Sequence, residues 1–269
     1  MILNVSVGIG VDARWGSLMS IGHLPVDHVS ITGVFTEQDL SRCVESFPLF
    51  LAKIHHVSYV QPSNPRRFDE QWLNWLDKVN QELSVLWTCE DIGYWTNLAG
   101  VALGTVLPPL IDEDSLCYTI ASVKEVQAAF SVPHLIEYPE GNGVFGKLDL
   151  NDWILKLCVL TGSGLVLDLP HVLEYSVSQG TYEVMTGLRP LLPFVEEIHI
   201  SGGEFRKCPI ARYRGTHSLE LDPMVLELFS ALCRESMPNL KAVTIEFAQE
   251  VAIDGLKQTL NLVRSYLEG

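Results

Sequence analysis

The segment Leu165–Ser176, LVLDLPHVLEYS, begins like a buried strand and ends on two residues that can bind a metal. Its aliphatic first half is typical of a β-strand, but the run stops at Asp168, and His171 follows three residues later. Carboxylate and imidazole side chains suit iron, manganese, zinc and cobalt. Pro170, between them, has a fixed φ angle and stiffens the turn that orients His171. The spacing predicts a strand that delivers ligands to an ion.

Other apolar runs of the chain also carry ionisable residues near their ends. A single buried histidine is more often a hydrogen-bonded core residue, and a single terminal acid often caps the next helix. The repetition along the chain distinguishes this pattern from those ordinary structural roles. The residues concerned are His55 and His56 in the third run, Glu90 and Asp91 in the fourth, Glu137 in the fifth, Asp168 and His171 in the sixth, His199 in the seventh, Glu246 in the eighth, and His217 in the loop after the seventh.

Eight short, β-rich apolar runs alternate with segments of helical spacing, of which Phe68–Leu83 is the clearest. Continuous apolar runs indicate strands buried on both faces, as in a parallel sheet. Asp222, before a proline, marks one helix start, and Thr36 with Asp39 resembles a capping box. The alternation predicts a (β/α)₈ TIM barrel. The predicted strands are Leu3–Ile9, Val26–Val34, Ile54–Val60, Ser84–Glu90, His134–Tyr138, Leu165–Leu169, Glu197–Ile200 and Lys241–Phe247.

The strands of such a barrel point their carboxyl ends at one mouth, so the ionisable residues are expected to converge there. Without a cation, packing them together would cost several kcal/mol for each uncompensated charge. We therefore expect a metal site at the mouth, with a purely structural polar cluster as the other interpretation. The glycine- and proline-rich segment Leu98–Asp112 follows the fourth strand, and we expect it to be a long loop that covers a substrate.

Length and composition allow one large domain, which we expect to span residues 1–269. The formal net charge of −15 argues against nucleic acid and anionic membranes as partners. The chain contains no apolar run long enough for a transmembrane helix, and its start is expected to be a strand rather than a signal peptide. Six scattered cysteines without a CxxC pair predict a reduced, cytoplasmic protein.

The order Glu137, Asp168-x-x-His171, His199, Glu246 resembles the xylose-isomerase-like TIM barrels. That superfamily includes sugar isomerases, epimerases and endonuclease IV. The resemblance implies that these positions bind one to three divalent metal ions.

A closer resemblance is to the multinuclear non-haem iron enzymes of ribosomal peptide maturation, the methanobactin-biosynthesis iron oxygenase type. The segments that carry it are VGIGVDAR, HHVSYV, CEDIGYW, LPPLIDEDSL, LIEYPEG, GLVLDLPHVLEYSVSQG, VEEIHISGGEF, THSLELDP and VTIEF, which together cover nearly the whole chain.

This resemblance implies two or three iron ions, with manganese or zinc as other candidates, and oxidation by O₂ of a cysteine of a precursor peptide. It also implies a small partner protein that recruits the peptide. The chain has Asp91 where the family usually has a histidine, and His171 where it commonly has an asparagine. The metal ligands expected from the two resemblances are His55, Asp91, Glu137, Asp168, His171, His199, His217 and Glu246.

The leading hypothesis is a metal-dependent oxidative enzyme acting on a peptide thiol, in which Glu90 or Asp91 is a ligand, a supporting residue or a proton acceptor. The first alternative is a sugar isomerase or epimerase with Mn²⁺ or Mg²⁺, in which Glu137 and Glu246 exchange protons with carbon. The second is a non-catalytic binding module or partner subunit with a decayed site. A DNA-repair endonuclease ranks lowest, because the acidic chain lacks the basic excess that holds a phosphate backbone.

Overall fold

A closed barrel of eight parallel strands forms the centre of the molecule, as predicted. The computed structural model describes residues 5–15, 24–65, 68–97, 99–181, 183–207, 209–247 and 253–269. The strands, in chain order, are β1 (Ser6–Asp12), β2 (His28–Thr32), β3 (Ala52–His56), β4 (Thr88–Asp91), β5 (Tyr94–Thr96), β6 (Ala102–Leu107), β7 (Leu110–Ile111), β8 (His134–Glu137), β9 (Phe145–Gly146), β10 (Leu165–Asp168), β11 (Val195–Ile200), β12 (Gly202–Arg206), β13 (Arg212–Ser218) and β14 (Ala242–Ile245).

The barrel consists of β1, β2, β3, β4, β8, β10, β11 and β14, each paired in parallel with its neighbours, and β14 closes onto β1. Helices follow these strands and cover the outer face of the barrel. Within the described ranges no helix combines the length and the apolar character needed to cross a membrane. The helices are α1 (Glu37–Ser46), α2 (Glu70–Leu83), α3 (Glu113–Ala129), α4 (Leu150–Thr161), α5 (Leu169–Ser178), α6 (Val184–Leu188), α7 (Pro223–Cys233) and α8 (Ile253–Glu268), with a 3₁₀ helix at Arg189–Phe194.

The helix starts follow the local sequence signals. Thr36 and Asp39 form the predicted capping box at the start of α1, each side chain accepting from the other's backbone N–H. Asp222 accepts from the first N–H groups of α7, as predicted. The predicted helix Phe68–Leu83 begins slightly later, because Asp69 is its N-cap.

All eight predicted strands overlap barrel strands. The predicted start of the first, at Leu3, lies outside the described residues. The third prediction ran too far, to Val60, whereas β3 ends at His56. Beyond it, Tyr59 and Gln61 have left-handed φ angles of 65° and 57°, so the chain turns instead of continuing the strand.

The prediction of a long loop at Leu98–Asp112 was wrong for its described residues. Strand β6 in this segment pairs antiparallel with β5, so a β-hairpin stands over the fourth strand. We call β5, β6 and their connection the lid hairpin. The apolar residues that composition alone assigned to a loop include Val106, whose side chain is buried, and Leu107, which pairs with Tyr94.

Small residues of β1 make room inside the barrel for larger side chains of neighbouring strands. A Cβ atom on Gly8 would lie 2.3 Å from the carbonyl oxygen of His28 and 2.4 Å from its ring. At Gly10 the nearest heavy atom would be 3.6 Å away, on Glu246. Gly8 is therefore required by packing, whereas Gly10 is not.

We expect Gly8→Ala to lower the free energy of unfolding by about 2–3 kcal/mol or more, because the His28 backbone has to move. Gly10→Ala, the matched control on the same strand, should change it by less than about 1 kcal/mol. Urea unfolding followed by circular dichroism measures both values. Equal stability of the two variants would contradict this account of the barrel interior.

Candidate metal centre

The carboxyl ends of the barrel strands bring the predicted acidic and imidazole residues together at one mouth. Asp91, Glu137 and Asp168 are the last residues of β4, β8 and β10. Asp168 is also the N-cap of α5, and it accepts a 2.7 Å hydrogen bond from the backbone N–H of His171. With Pro170 in the first helical turn, this cap fixes the position of His171 relative to the strand end.

Glu137 lies at the centre of the cluster and contacts two imidazoles. Its Oε1 is 2.9 Å from His199 Nδ1, and its Oε2 is 2.9 Å from His56 Nε2. Glu246 Oε1 lies 3.2 Å from the same nitrogen of His199, and Asp91 Oδ2 lies 3.9 Å from His56 Nε2. Side chains from five separate elements thus place their donor atoms within one small volume.

These donor atoms form overlapping groups whose members lie within 4.8 Å of one another, a spacing that allows them to share an ion. Each group contains Glu137 or His199, and one contains both, so the groups are adjacent parts of one cluster rather than separate sites. The three that matter most are Glu137 with Asp168, His199 and Glu246; Asp91 with Glu137 and His171; and His56 with His199 and Glu246.

Two buried carboxylate oxygens show that the cluster fits a cation. Oδ1 of Asp91 and Oδ2 of Asp168 have no hydrogen-bond partner within the described part of the chain. A buried carboxylate oxygen without a partner is costly unless a positive charge compensates it. Both oxygens belong to residues of the ligand groups, so a metal ion bound there would satisfy them.

Burial and mutual contact shift the titration of these groups. Burial raises the pKa of Asp91 to about 7 and that of Asp168 to about 6, and neighbouring carboxylates add to both shifts. Burial alone would raise the pKa of Glu137, but the flanking imidazoles hold it well below its usual range. Burial would lower the pKa of His171, yet Asp168 and Asp91 raise it to about 10. Protons on the imidazoles therefore balance the carboxylates, and a bound cation would take over that role.

His55 is the one predicted ligand that the structure places away from the cluster, so its expected role needs correction. Successive side chains of a strand point to opposite faces, and on β3 it is His56 that faces the barrel axis. The ring of His55 is fully buried on the outer side, where its Nδ1 lies 2.7 Å from Oδ1 of Asn80 on α2. Burial lowers the pKa of His55 to about 4, so it remains neutral.

We expect His56→Gln to lose most of the bound metal, because it removes a donor that faces both Glu137 and Asp91. His55→Gln should keep the wild-type metal content, since an amide can still bond Asn80. The two variants form a matched pair on one strand, and elemental analysis after anaerobic purification distinguishes them. Loss of metal in His55→Gln but not in His56→Gln would mean that His55, and not His56, faces the metal.

Glu90 also lies away from the cluster, on the face of β4 opposite to Asp91. Its two carboxylate oxygens accept from the backbone N–H groups of Val60 and Gln61, at 2.9 and 3.1 Å. Burial raises the pKa of Glu90 to about 8, and those two N–H groups partly oppose the shift. Glu90 therefore fastens the turn after β3 rather than reaching a substrate.

His217 lies at the rim of the cluster, with Nε2 3.5 Å from Glu246 Oε2 and its side chain 42% exposed. Its backbone is left-handed, with φ of 47°, so the end of β13 bends towards the mouth. A cavity of about 330 Å³ begins here, bounded by the cluster below and by Trp95 and Thr105 of the lid hairpin above.

A family model described as "RiPP precursor modification enzyme MbnB/TglH/ChrH" matches residues 25–267 of the chain. The protein belongs to this family. Its members modify precursors of ribosomally synthesised and post-translationally modified peptides, which the abbreviation RiPP denotes. A search of curated proteins found no match.

Solved structures similar to this MbnB/TglH/ChrH family member include proteins described as xylose isomerase-like TIM barrels, which confirms the predicted barrel fold. A xylose isomerase domain containing protein from Salmonella typhimurium is 16% identical, with 98% of each chain covered and a TM-score of 0.64. Endonuclease IV from Thermus thermophilus is 14% identical over 98% of this chain and 99% of its own, with a TM-score of 0.62. A xylose isomerase-like TIM barrel protein from Mycobacterium smegmatis, in complex with magnesium, is 10% identical over 93% and 88%, with a TM-score of 0.62. At these identities the likeness shows the fold alone.

Glu197, which the sequence reasoning missed, lies directly beneath the cluster of this MbnB/TglH/ChrH family member. Its carboxylate is fully buried and accepts from His199 Nε2 at 3.1 Å, from Trp87 Nε1 at 2.7 Å and from Thr244 Oγ1 at 2.5 Å. The contact with His199 leaves Nδ1 of that ring facing Glu137 and Glu246. A carboxylate that binds the far nitrogen of a metal-binding imidazole fixes its tautomer and orientation.

The polar interior continues below Glu197 towards the amino ends of the strands. Thr244 Oγ1 lies 2.9 Å from His28 Nε2, and Ser6 Oγ lies 2.6 Å from His28 Nδ1. Beside this chain of contacts, the thiol of Cys89 lies within the 4.8 Å reach of donor atoms on Glu197, His199 and Glu137. Cys89 also packs in the apolar floor of the barrel, so its thiol lies at the base of the cluster.

Proposed function

We propose that this protein is a multinuclear non-haem iron enzyme that uses O₂ to oxidise a cysteine, or another thiol, of a ribosomally made peptide. Membership of a family of RiPP precursor modification enzymes supports the peptide substrate. The observation that carries the proposal is the position of Glu137, whose two oxygens face two different imidazoles. Glu137 would hold metal together with both imidazoles, and ligand groups on either side of it support a centre with more than one ion.

Mixed carboxylate and imidazole ligands suit iron, with manganese or zinc as the other candidates. Iron held there would supply two functions, lowering the pKa of a substrate thiol and carrying electrons from it to O₂. The residues proposed to hold the metal are His56, Asp91, Glu137, Asp168, His171, His199, His217 and Glu246.

Residues around the metal cluster are proposed to position the thiol and exclude water. Oδ1 of Asp91 has no hydrogen-bond partner in the described part of the chain, so this oxygen would either bind the metal or accept the proton of an incoming thiol. The indole N–H of Trp95, likewise without a partner among described residues, borders the cavity and can donate to a peptide carbonyl. The lid hairpin places Trp95 and Thr105 on the wall of this cavity, where they would help to exclude water once a peptide is bound.

The cavity of about 330 Å³ admits one or two side chains rather than a whole peptide. Most of the precursor must therefore be held outside the barrel mouth. The proposal accordingly includes a small partner protein that recruits the peptide, as the sequence resemblance implies.

The sugar-isomerase alternative requires two glutamates on opposite sides of a substrate. Here Oε1 of Glu137 and Oε1 of Glu246 both lie beside Nδ1 of His199, at 2.9 and 3.2 Å. The two carboxylates are neighbours on one side of the site, which favours joint metal binding over proton exchange across a sugar.

The test is metal analysis and single-turnover oxidation. Protein purified without air is expected to carry at least one iron per chain, with a Mössbauer spectrum of carboxylate- and imidazole-bound iron. Addition of O₂ and a cysteine peptide should then consume O₂ and change the peptide's mass, whereas the matched serine peptide should remain unchanged. Iron well below one per chain, with manganese and zinc also absent, would contradict the proposal.

A further inference from the structure

A second and larger cavity, of about 1040 Å³, continues outward from the metal cluster. The two cavities share His171, His217, Glu140 and Thr105 along their border, so a chain lying in the outer one can reach the cluster. We call the outer cavity the substrate groove. One wall is the antiparallel hairpin of β12 and β13, and the opposite wall includes Asn142.

The β12–β13 hairpin has a charge opposite to that of the rest of the protein. The chain as a whole carries a net charge of −15 and has 18 basic residues. Four of these, Arg206, Lys207, Arg212 and Arg214, fall within nine consecutive positions. No acidic residue occurs between positions 205 and 219. A local basic surface on so acidic a protein concentrates an attractive potential for anions at this wall.

The three arginines line the substrate groove, and the placement of two of them is unfavourable for the hairpin alone. The strand register places Arg206 directly opposite Arg212, and like charges in that position repel. Glu204 compensates Arg206 at 2.6 Å, but Arg212 has no ion-pair partner among the residues that the structure describes. Arg214 lies near Glu140. Burial raises the pKa of Glu140, and the positive charge of Arg214 opposes part of that rise. An anionic ligand would relieve the repulsion.

Hydrogen bonds from outside the hairpin hold it in place. Asp222 accepts from the backbone N–H of Gly203 at 3.0 Å and from the hydroxyl of Tyr213. The backbone N–H of Gly215 donates to Glu174 at 2.9 Å, and Asn142 donates to the carbonyl of Tyr213 at 3.0 Å. Because the hairpin is anchored on both strands, the arginines are presented without a large ordering cost.

We propose that the substrate groove binds an anionic stretch of the peptide substrate, with aspartate or glutamate side chains on Arg212 and Arg214 while the residue to be modified enters the metal cluster. This inference rests on the proposed function for its peptide ligand. The groove thereby adds a charge preference to a family whose substrates are peptides.

The test measures binding of short labelled peptides by fluorescence anisotropy under nitrogen, with protein as purified, so that no turnover occurs. The probes carry one cysteine flanked by aspartates, by asparagines or by lysines. We expect the aspartate peptide to bind at least tenfold more tightly than the asparagine peptide, and the preference to weaken as salt is raised. Arg212→Glu with Arg214→Glu should raise its Kd at least tenfold.

Lys124→Glu with Arg234→Glu is the matched control, because it makes the same change in net charge at two exposed residues away from the groove. Its Kd should stay within twofold of the wild-type value. Metal content and circular dichroism check that both variants fold, and Arg212→Gln is a milder replacement should the double reversal fail to fold.

If the three peptides bind equally, or if none of them binds, the charge preference is wrong even where thiol oxidation is observed. A Kd for the aspartate peptide that the arginine variants leave unchanged would overturn it too, as would tighter binding of a single-stranded oligonucleotide in the same assay. If the peptide binds through the arginines but is not oxidised after air is admitted, the proposal for the groove holds and the proposed function is wrong.

Discussion

Glu137→Gln is expected to remove the metal almost completely and to lower any turnover at least a hundredfold. The substitution keeps the size of the side chain but takes away the negative charge between His199 and His56. It also removes a carboxylate that belongs to two of the main ligand groups, so both groups lose a charged donor. We therefore expect Glu137→Gln to cause a large loss of metal and turnover although it hardly changes the shape of the side chain.

Elemental analysis of protein purified without air measures this effect, and competition with a coloured chelator gives the affinity. Glu140→Gln is the matched control, because Glu140 borders the same cavity but belongs to none of the ligand groups found among the described residues. A Glu137→Gln protein with the full wild-type iron content would show that Glu137 is not needed to hold the metal.

Glu197→Gln is expected to weaken metal binding about tenfold to a hundredfold, although Glu197 belongs to none of the three principal ligand groups. The wild-type carboxylate accepts hydrogen bonds from His199, Trp87 and Thr244 at once. An amide must turn its own N–H groups towards one of these donors, so His199 loses its fixed orientation. We also expect the free energy of unfolding of the metal-free protein to fall by about 1–3 kcal/mol.

A chelator titration and the spectrum of the bound metal distinguish this positioning role from a general loss of stability. Glu196→Gln is the matched control, since Glu196 is the preceding residue and forms an ion pair with Lys241 on the outside of the barrel. Its metal affinity should match the wild-type value. Wild-type metal affinity in Glu197→Gln would mean that His199 does not need the hydrogen bond to the Glu197 carboxylate for its orientation.

The barrel and the convergence at its mouth could be predicted because both follow from apolar periodicity and from the geometry of parallel strands. Residues at strand ends, such as Glu137, Asp168 and Glu246, needed only the right strand assignment to be brought together. The preference for Glu and Asp over cysteine at these ends was likewise visible in the sequence.

The register within single strands could not be predicted in the same way. Strand β3 is buried on both faces, so its sequence AKIHH shows no alternation that would separate His55 from His56. One signal was available, because Asn80 lies on the buried face of α2 and a buried amide needs a polar partner. That partner is His55, which would have excluded it as a ligand.

Glu197 was missed for a related reason. It stands beside Glu196 in VEEIHI, and nothing local shows which of the two enters the barrel. Only the pairing of β11 with β10 and β14 places one carboxylate on the axis and the other among surface cations. The lid hairpin escaped prediction because glycine and proline in its sequence suggested a loop, whereas backbone pairing with β5 depends on residues outside the segment.

The cysteine in the barrel floor has a consequence for an enzyme that handles thiols. Burial raises the pKa of Cys89 to about 12, and Glu197 adds to the rise. The thiolate is the form that binds metals and attacks oxidants, so a thiol that stays protonated reacts slowly. Under the proposed function, the raised pKa makes Cys89 of the metal-free protein less reactive towards oxidants than the thiol of the peptide substrate.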